Sequence, residues 1–356
     1  MKNKGGSIMG GVVILIIGIT LLWWNEGNNV RNIQSVNEGL KNYTDVKSDK
    51  INEKYDGKLV ATSGKLIVNT DVSDDEFNVI SKSAVLMRSV EMYQWQEECE
   101  GEENNCTYEK VWSDELIDSS EFTNSGHDNP DKMLYESEKF ISQDVNLGAF
   151  KIPDKLLDKL STKKRIKDLS EEVANSHSLR LNNNYYTNSS EEGIQIGDIR
   201  ISFYENNTKY VSVLAMQTDD HFKVYKTKKG KDFFNLYEDE YNGADMFQII
   251  TKQNNFGKWL LRIIGALCVI MGIGSLFSPI QKLADKVPVL GNIVNMTTGT
   301  VSFIFGISIS LIVVAIAWFR FRPILSIILI VIVVALIVLL KLYNKGMIKI
   351  SSKDEK

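Results

Sequence analysis

Histidine is scarce in this 356-residue chain: His127, His177 and His221 are its three, and they stand far apart. Nothing in their spacing gathers a metal set or an acid–base pair, so each reads as an ordinary polar side chain. No phosphate loop, dinucleotide fingerprint, HExxH helix or nucleophile elbow occurs. With 42 carboxylates between residues 25 and 258, singling out an acid–base pair would be arbitrary. The sequence therefore names no catalytic residue, no cofactor-binding residue and no metal ligand. Cysteine is scarce too: Cys99, Cys106 and Cys268 are its three. Cys268 sits in an apolar run and reads as a packed thiol. Cys99 and Cys106 lie seven residues apart across a Glu/Asn/Gly-rich stretch that reads as a hairpin tip. On the oxidising side of a membrane such a pair closes a structural disulfide; metal binding is the alternative, without a third cysteine or a histidine nearby.

Charge is almost absent from four stretches, Ile8–Trp24, Trp259–Phe277, Ile293–Trp318 and Ile324–Tyr343. Each is long enough, or nearly so, to cross a hydrocarbon core of about 30 Å as a helix. One such run fits a buried soluble helix; four do not. Residues 25–258 hold 42 of the 45 acidic and 29 of the 41 basic side chains, a net of −13, which leaves +9 on the remainder. An acidic domain of this kind repels phosphate backbones, which argues against nucleic-acid partners.

Lysines set the topology. Lys2 and Lys4 precede the first run, Lys282 and Lys286 lie between the second and third, and Lys341, Lys345, Lys349, Lys353 and Lys356 lie at or beyond the end of the fourth. Four crossings place all of these on one side, the cytosolic one, against only Arg320 and Arg322 on the other. The first run leaves through Trp23, Trp24, Asn25 and Glu26, with no small-x-small cleavage site, and reads as a retained anchor. The fold class expected is an α+β extracytoplasmic or lumenal domain inserted between the first and second of four transmembrane α-helices. The layout is a cytosolic N-terminus (1–7), span one (8–24), the domain (25–258), span two (259–277), an interfacial amphipathic segment (278–292), span three (293–318), span four (324–343) and a cytosolic tail (344–356).

Within the domain, Val30, Ile33, Val36 and Leu40 have the spacing of an amphipathic helix that continues the first span. From Lys58 the text KLVATSGKLIV alternates and breaks at Gly64, a hairpin or bulge signal. Ala84–Glu98 and Tyr108–Ile117 flank the cysteine tip as a long antiparallel pair. Helix is expected across 130–170, with Pro130 in a first turn capped by Asn129 and Pro153 opening a second amphipathic stretch. Asn175–Ser190 reads as a polar loop. Strands resume at Asp198–Tyr204, Tyr210–Gln217 and His221–Lys226, with a turn at Asp219–Asp220. Strands and helices in this order make the domain α+β.

In Val90-Glu91-Met92-Tyr93-Gln94-Trp95 the alternation puts Glu91, Tyr93 and Trp95 on one strand face. Trp112 and Glu115 sit on the expected partner strand, and Gly126-His127-Asp128-Asn129-Pro130 turns into a helix carrying Met133 and Glu136. Cross-strand aromatic packing with a capped helix is one reading; a ligand-binding surface is the other. In the apolar runs Arg262 sits one turn in and can snorkel. Asn295, Thr297, Thr298, Thr300, Ser302, Ser308 and Ser310 with Gly299 and Gly306 give span three a helix-packing face, with a pore lining as the alternative. Gly10, Gly11, Gly18, Gly265, Gly272 and Gly274 suit close helix contact.

Together these residues resemble the transmembrane protein 43 family, also called LUMA. The likeness runs from Asn25-Glu26-Gly27 and Glu38-Gly39-Leu40 through VEMYQW at 90–95, Trp112…Glu115…Ile117, GHxNPxxM at 126–133, Glu136-Ser137 and GDIRISF at 197–203 to Trp318…Arg322-Pro323. Gly197, Asp198, Arg200, Arg322 and Pro323 are thereby singled out as structural or partner-binding positions. The resemblance implies four spans, cytosolic termini, one lumenal domain and no catalytic residues. It also implies, for eukaryotic members, an endoplasmic-reticulum and inner-nuclear-membrane location with self-association and contacts to emerin and lamins. The Lys-, Asn- and Ile-rich text looks bacterial, and in a bacterial cell membrane only the scaffolding role carries over. The expected function is a non-enzymatic, homo-oligomeric membrane scaffold whose partners are membrane lipids and other membrane proteins. An ion channel built on span three and a membrane enzyme with an unrecognised site are the alternatives.

Overall fold

The computed structural model describes residues 4–100, 105–284, 290–324, 326–328 and 331. The fourth expected span and the cytosolic tail lie outside the described residues apart from a few positions at the span's start. Among the described residues the helices are α1 (Lys4–Asn42), α2 (Asp154–Leu157), α3 (Glu171–Ser176), α4 (Gly243–Ala284) and α5 (Leu290–Phe321). The chain divides into a helical unit, made of the residues up to Glu38, Thr227–Lys231 and those from Phe247 on, and a sheet unit, Gly39–Lys226 with Asp232–Met246.

In the helical unit, the most apolar 18-residue stretches of Met9–Asn42 and Gly243–Leu276 have mean hydropathies of 1.6 and 2.0, yet only 28% and 22% of those stretches is buried. A core helix of a soluble protein hides its apolar side chains. Here Ile16, Ile17, Ile263, Leu267 and Met271 are exposed, which fits hydrocarbon surroundings and not water. The helix expected to continue the first apolar run is present, because α1 runs unbroken to Asn42; of its spaced apolar residues Val36 is buried while Ile33 and Leu40 are exposed. Over the interfacial segment expected at 278–292, α4 continues through Ala284 and α5 starts at Leu290, with 285–289 outside the described residues.

Small residues bring α1 and α4 together. A Cβ on Gly18 would lie 2.9 Å from the Gly265 carbonyl, and one on Gly272 would lie 2.8 Å from the Leu15 backbone. Gly306 of α5 stands against Ile270 in the same way. Leu22, Val269 and Ile273 fill the seam, with Leu15, Ile309 and Val313 packed on them. Close backbone approach is what small residues supply between apolar helices. Gly10 has open space around it and takes no part. Gly18→Leu should therefore lower the stability of the detergent-solubilised protein by about 1–3 kcal/mol or more, while Gly10→Leu leaves its thermal transition in place.

The strands of the sheet unit begin with β1 (Thr44–Asp45), β2 (Leu59–Val68), β3 (Val72–Asp74), β4 (Val79–Ser81), β5 (Val85–Glu100) and β6 (Asn105–Ser113). Next come β7 (Glu138–Ile141), β8 (Val145–Leu147), β9 (Phe150–Lys151), β10 (Lys164–Arg165), β11 (Arg180–Asn182) and β12 (Tyr185–Thr187). The last are β13 (Ile199–Glu205), β14 (Tyr210–Thr218), β15 (His221–Lys223), β16 (Tyr225–Lys226), β17 (Asp232–Phe233) and β18 (Asn235–Glu238). One sheet runs β1-β2-β8-β9-β15-β14-β18, and a further β2–β14 pairing closes five of these strands into a ring. Phe150, Phe222, Leu156, Val211 and Val213 belong to its core. The second sheet runs β11-β12-β13-β5-β6, with β7 on β5 and β10 on β13, and Phe77, Tyr186 and Phe203 are buried in its own core.

Three expectations fail for local reasons. Gly64 is not a break, because β2 passes straight through it; the glycine leaves room for Ser48, whose Oγ would lie 2.5 Å from an added Cβ. The helix expected over 130–170 is absent apart from the four residues of α2, because Asn129 spends its amide on strand β5 instead of capping. The polar loop at 175–190 is partly a hairpin, β11–β12, with Asn183 at φ 52° in the turn. Asparagine tolerates that left-handed backbone.

Candidate functional site

Strand β5 alternates as the sequence predicts: Val90, Met92 and Gln94 are buried, while Glu91, Tyr93 and Trp95 are half-buried on the opposite face. Register then supplies their neighbours. Tyr93 stands opposite Trp112 on β6, and Glu91 stands opposite Arg200 on β13. The Arg200 guanidinium grips Glu91 with Nε to Oε2 at 2.6 Å and Nη2 to Oε1 at 2.7 Å. It also lies 4.5 Å over the Trp112 ring, whose centroid is 5.3 Å from that of Tyr93. A bidentate pair stacked on an aromatic face fixes the arginine's plane as well as its charge. Further along, Lys110 sits 4.7 Å over Trp95, and His127 meets Trp95 edge-on before stacking on Tyr108 at 3.7 Å. Tyr108 donates its hydroxyl to Glu97. That bond, with the Thr123 N–H, holds the Glu97 carboxyl below its ordinary value.

Side-chain amides pin the segment after β6 to β5. The Asn129 Oδ1 accepts from Trp95 N–H at 2.7 Å and its Nδ2 donates to the Trp95 carbonyl at 2.9 Å, as a neighbouring strand would. Gln94 accepts from Ile117 N–H and donates to the Glu115 carbonyl. Glu115 thus works through its backbone, beyond the end of β6 at Ser113, and not as a strand residue. Gly197, at φ 92°, donates to the Tyr93 carbonyl, while Asp198 accepts from Tyr93 N–H. A Cβ on Gly197 would lie 3.1 Å from Pro130. Gly126 is also left-handed, at φ 94°. The motif positions Asn129, Pro130, Gly197 and Asp198 thus brace the strip that Glu91, Arg200, Trp112 and Tyr93 present.

Cys99 and Cys106 face each other across β5 and β6, with their sulfurs joined at 2.03 Å. Among the described residues, Glu97, Cys99 and Cys106 form the trio whose potential metal-donor atoms lie within 4.8 Å of one another. Sulfurs joined to each other present no thiolate pair to an ion. The histidines are dispersed: His177 stacks on Phe77 at 4.7 Å, and His221 bonds its neighbour Asp220.

The helical unit holds the remaining motif positions. Arg262 has a partner: its Nε donates to Glu26 Oε1 at 2.6 Å, and Trp318 Nε1 donates to Oε2 at 2.9 Å. The Glu26 side chain is 1% exposed and that of Arg262 is 16% exposed. Asn25 donates to the Lys258 carbonyl, and a Cβ on Gly27 would lie 2.8 Å from the Phe321 ring. Asn25-Glu26-Gly27 is thus the place where α1 is tied to both α4 and α5. Arg322 lies 5.8 Å from the Trp318 ring, and Pro323 follows the end of α5. On α5, Ser302 and Ser310 are buried, and Ser310 donates back to the Gly306 carbonyl, a packing use of the hydroxyl. Sequence reading missed the role of Arg262 and all of Arg88. The signal for Arg88 was a charge on the inward phase of an apolar strand.

A family profile described as "Transmembrane protein 43" matches residues 92–323. Transmembrane protein 43 of Mus musculus is 27% identical over 348 residues, covering 91% of this chain and 86% of the relative. The Homo sapiens protein of that name is 26% identical over 353 residues, 92% of this chain and 88% of the relative. A Drosophila melanogaster homolog is 24% identical over 340 residues, 89% of each chain. No solved structure matches.

Proposed function

The chain belongs to the transmembrane protein 43 family, and on that premise we propose that it is a non-enzymatic, multi-pass membrane scaffold whose sheet unit self-associates. In this reading the four apolar runs all cross the bilayer, both termini are cytosolic and the acidic domain lies on the opposite side. The exposed apolar flanks of α1 and α4 and the lysine distribution support it. Lipids and other membrane proteins are the further partners it assembles.

The observation that carries the scaffold reading is the half-exposed strip of Glu91, Arg200, Trp112 and Tyr93. Tryptophan, tyrosine and arginine are enriched among the residues that dominate the energy of protein interfaces. Here they are held rigid before any partner arrives, which lowers the cost of association further. A second copy of the chain is the occupant proposed. Cross-linking and light scattering of the full chain in mild detergent should show a discrete oligomer. Trp112→Ala should weaken it about tenfold or more, the 1–2 kcal/mol expected of an interface aromatic. A monomer at every concentration, or a variant that assembles as the parent does, overturns the proposal.

A further inference from the structure

Residues 25–258 carry a net charge of −13, yet one cleft in the sheet unit is lined with lysines. Lys65 from β2, Lys82 before β5, Lys164 from β10 and Lys209 before β14 line a space of about 350 Å³. Glu205 stands among them, but its carboxylate is already spent. Oε1 takes Lys164 at 2.6 Å and Oε2 takes the Ser81 hydroxyl. Among the described residues Lys65, Lys82 and Lys209 have no carboxylate partner, so three positive charges are left over.

Asn206 lines the same cleft and is 5% exposed. Its Oδ1 accepts from Ala84 N–H at 2.9 Å and its own N–H donates to the Val85 carbonyl. Its Nδ2 is buried and, among the described residues, meets no acceptor. A buried amide donor without a partner costs free energy, and it persists where something else supplies the acceptor. The backbone is held on both sides, since Leu66 N–H donates to the Lys209 carbonyl and Asn206 N–H to Val85. The donor is therefore fixed in place in a cleft that the lysines also line.

We propose that this cleft binds a phosphate group, either as a free phosphate monoester or as a lipid headgroup. Asn206 Nδ2 gives one fixed hydrogen bond, and Lys65, Lys82 and Lys209 close on the remaining oxygens. Three cations and an uncharged donor match a dianion better than a carboxylate, and lysine is a common phosphate partner as a point charge. The cleft is of the size of small-ligand sites. It lies in the ring sheet's border with the second sheet, away from the Arg200 strip, so neither proposal depends on the other.

The test uses the full chain purified in neutral detergent and the same protein in vesicles. Acetylation of individual lysines is read by mass spectrometry with inorganic phosphate, with glycerol 3-phosphate, and with phosphatidylcholine vesicles with and without phosphatidic acid. Lys65, Lys82 and Lys209 should be protected about threefold or more by one of these, with exposed Lys47 unchanged as control. Protection by the soluble ligands assigns a free phosphate; protection by phosphatidic acid alone assigns a headgroup. Asn206→Asp keeps the acceptor for Ala84 and turns the free donor into an acceptor. It should weaken binding about tenfold or more. Because a buried carboxylate also costs stability, its melting temperature is read alongside. The double variant Lys65→Gln/Lys209→Gln, changed only at exposed side chains, should keep the parent's melting temperature and lose binding by the same factor. Absence of protection by every ligand, equal protection of Lys47, or full binding by a folded Asn206→Asp protein overturns the proposal.

Discussion

Arg88→Met should destabilise the sheet unit by about 3–5 kcal/mol, the loss expected when one partner of a buried ion pair is removed. The Arg88 side chain is 5% exposed and that of Asp74 is 1% exposed. Its Nη1 binds Asp74 Oδ2 at 3.0 Å and Glu76 at 2.6 Å, its Nη2 binds Glu138 at 2.9 Å, and its Nε donates to the Glu136 carbonyl at 3.0 Å. The guanidinium also lies 5.2 Å over Phe77. Methionine fills the space and satisfies none of these. Glu76 and Glu138 reach water, but Asp74 is left as a buried charge.

The pH dependence follows from Asp74. Burial pushes its carboxyl above the ordinary value, against pulls from Phe77 N–H and Arg88. Without Arg88 that rise grows. A carboxyl whose folded pKa exceeds its unfolded one stabilises the fold below the unfolded value, and that contribution is lost as pH rises through the folded value. The variant's deficit should therefore be full at neutral pH and narrow toward pH about 4. Hydrogen exchange of β5 amides in the full chain, at both pH values, reads this directly. A loss under about 1 kcal/mol at neutral pH, within the range of ordinary substitutions, would show that the cluster is not what holds β5.

The second large effect is expected at Glu26. Glu26→Ala strips Arg262 and Trp318 Nε1 of their shared acceptor and leaves a cation at 16% exposure. A loss of about 3–5 kcal/mol follows by the same argument. It should appear as a lower melting temperature of the detergent-solubilised protein and as easier proteolysis between α1 and α4. Glu26→Leu combined with Arg262→Met removes both charges and should recover most of the loss. If the double variant is as unstable as Glu26→Ala, the ion pair is not the cause and packing around Phe321 is.

Much was legible from period and charge. Alternation placed Glu91, Tyr93 and Trp95 on one face because a strand allows no other arrangement of neighbours. The antiparallel pair around Cys99 and Cys106 followed from two strand-like segments with a turn-rich tip between them. The helix over 130–170 was misread because Asn129-Pro130 satisfies a capping rule while its amide serves Trp95. Local rules cannot see a long-range acceptor. The partner of Arg262 was out of sight for the same reason, since Glu26 stands 236 positions away.

The amino-acid sequence by itself determined the apolar helices, the acidic domain, the alternation of β5 and the family, because these depend on composition and on spacing along one element. Only the tertiary structure decided what stands opposite what. The pairing of Glu91 with Arg200, the clustering of three carboxylates on Arg88, the tie of Glu26 to α4 and α5, and the lysine-lined cleft all join residues far apart in the chain. Register and packing set such contacts, and neither is written in any single stretch of residues.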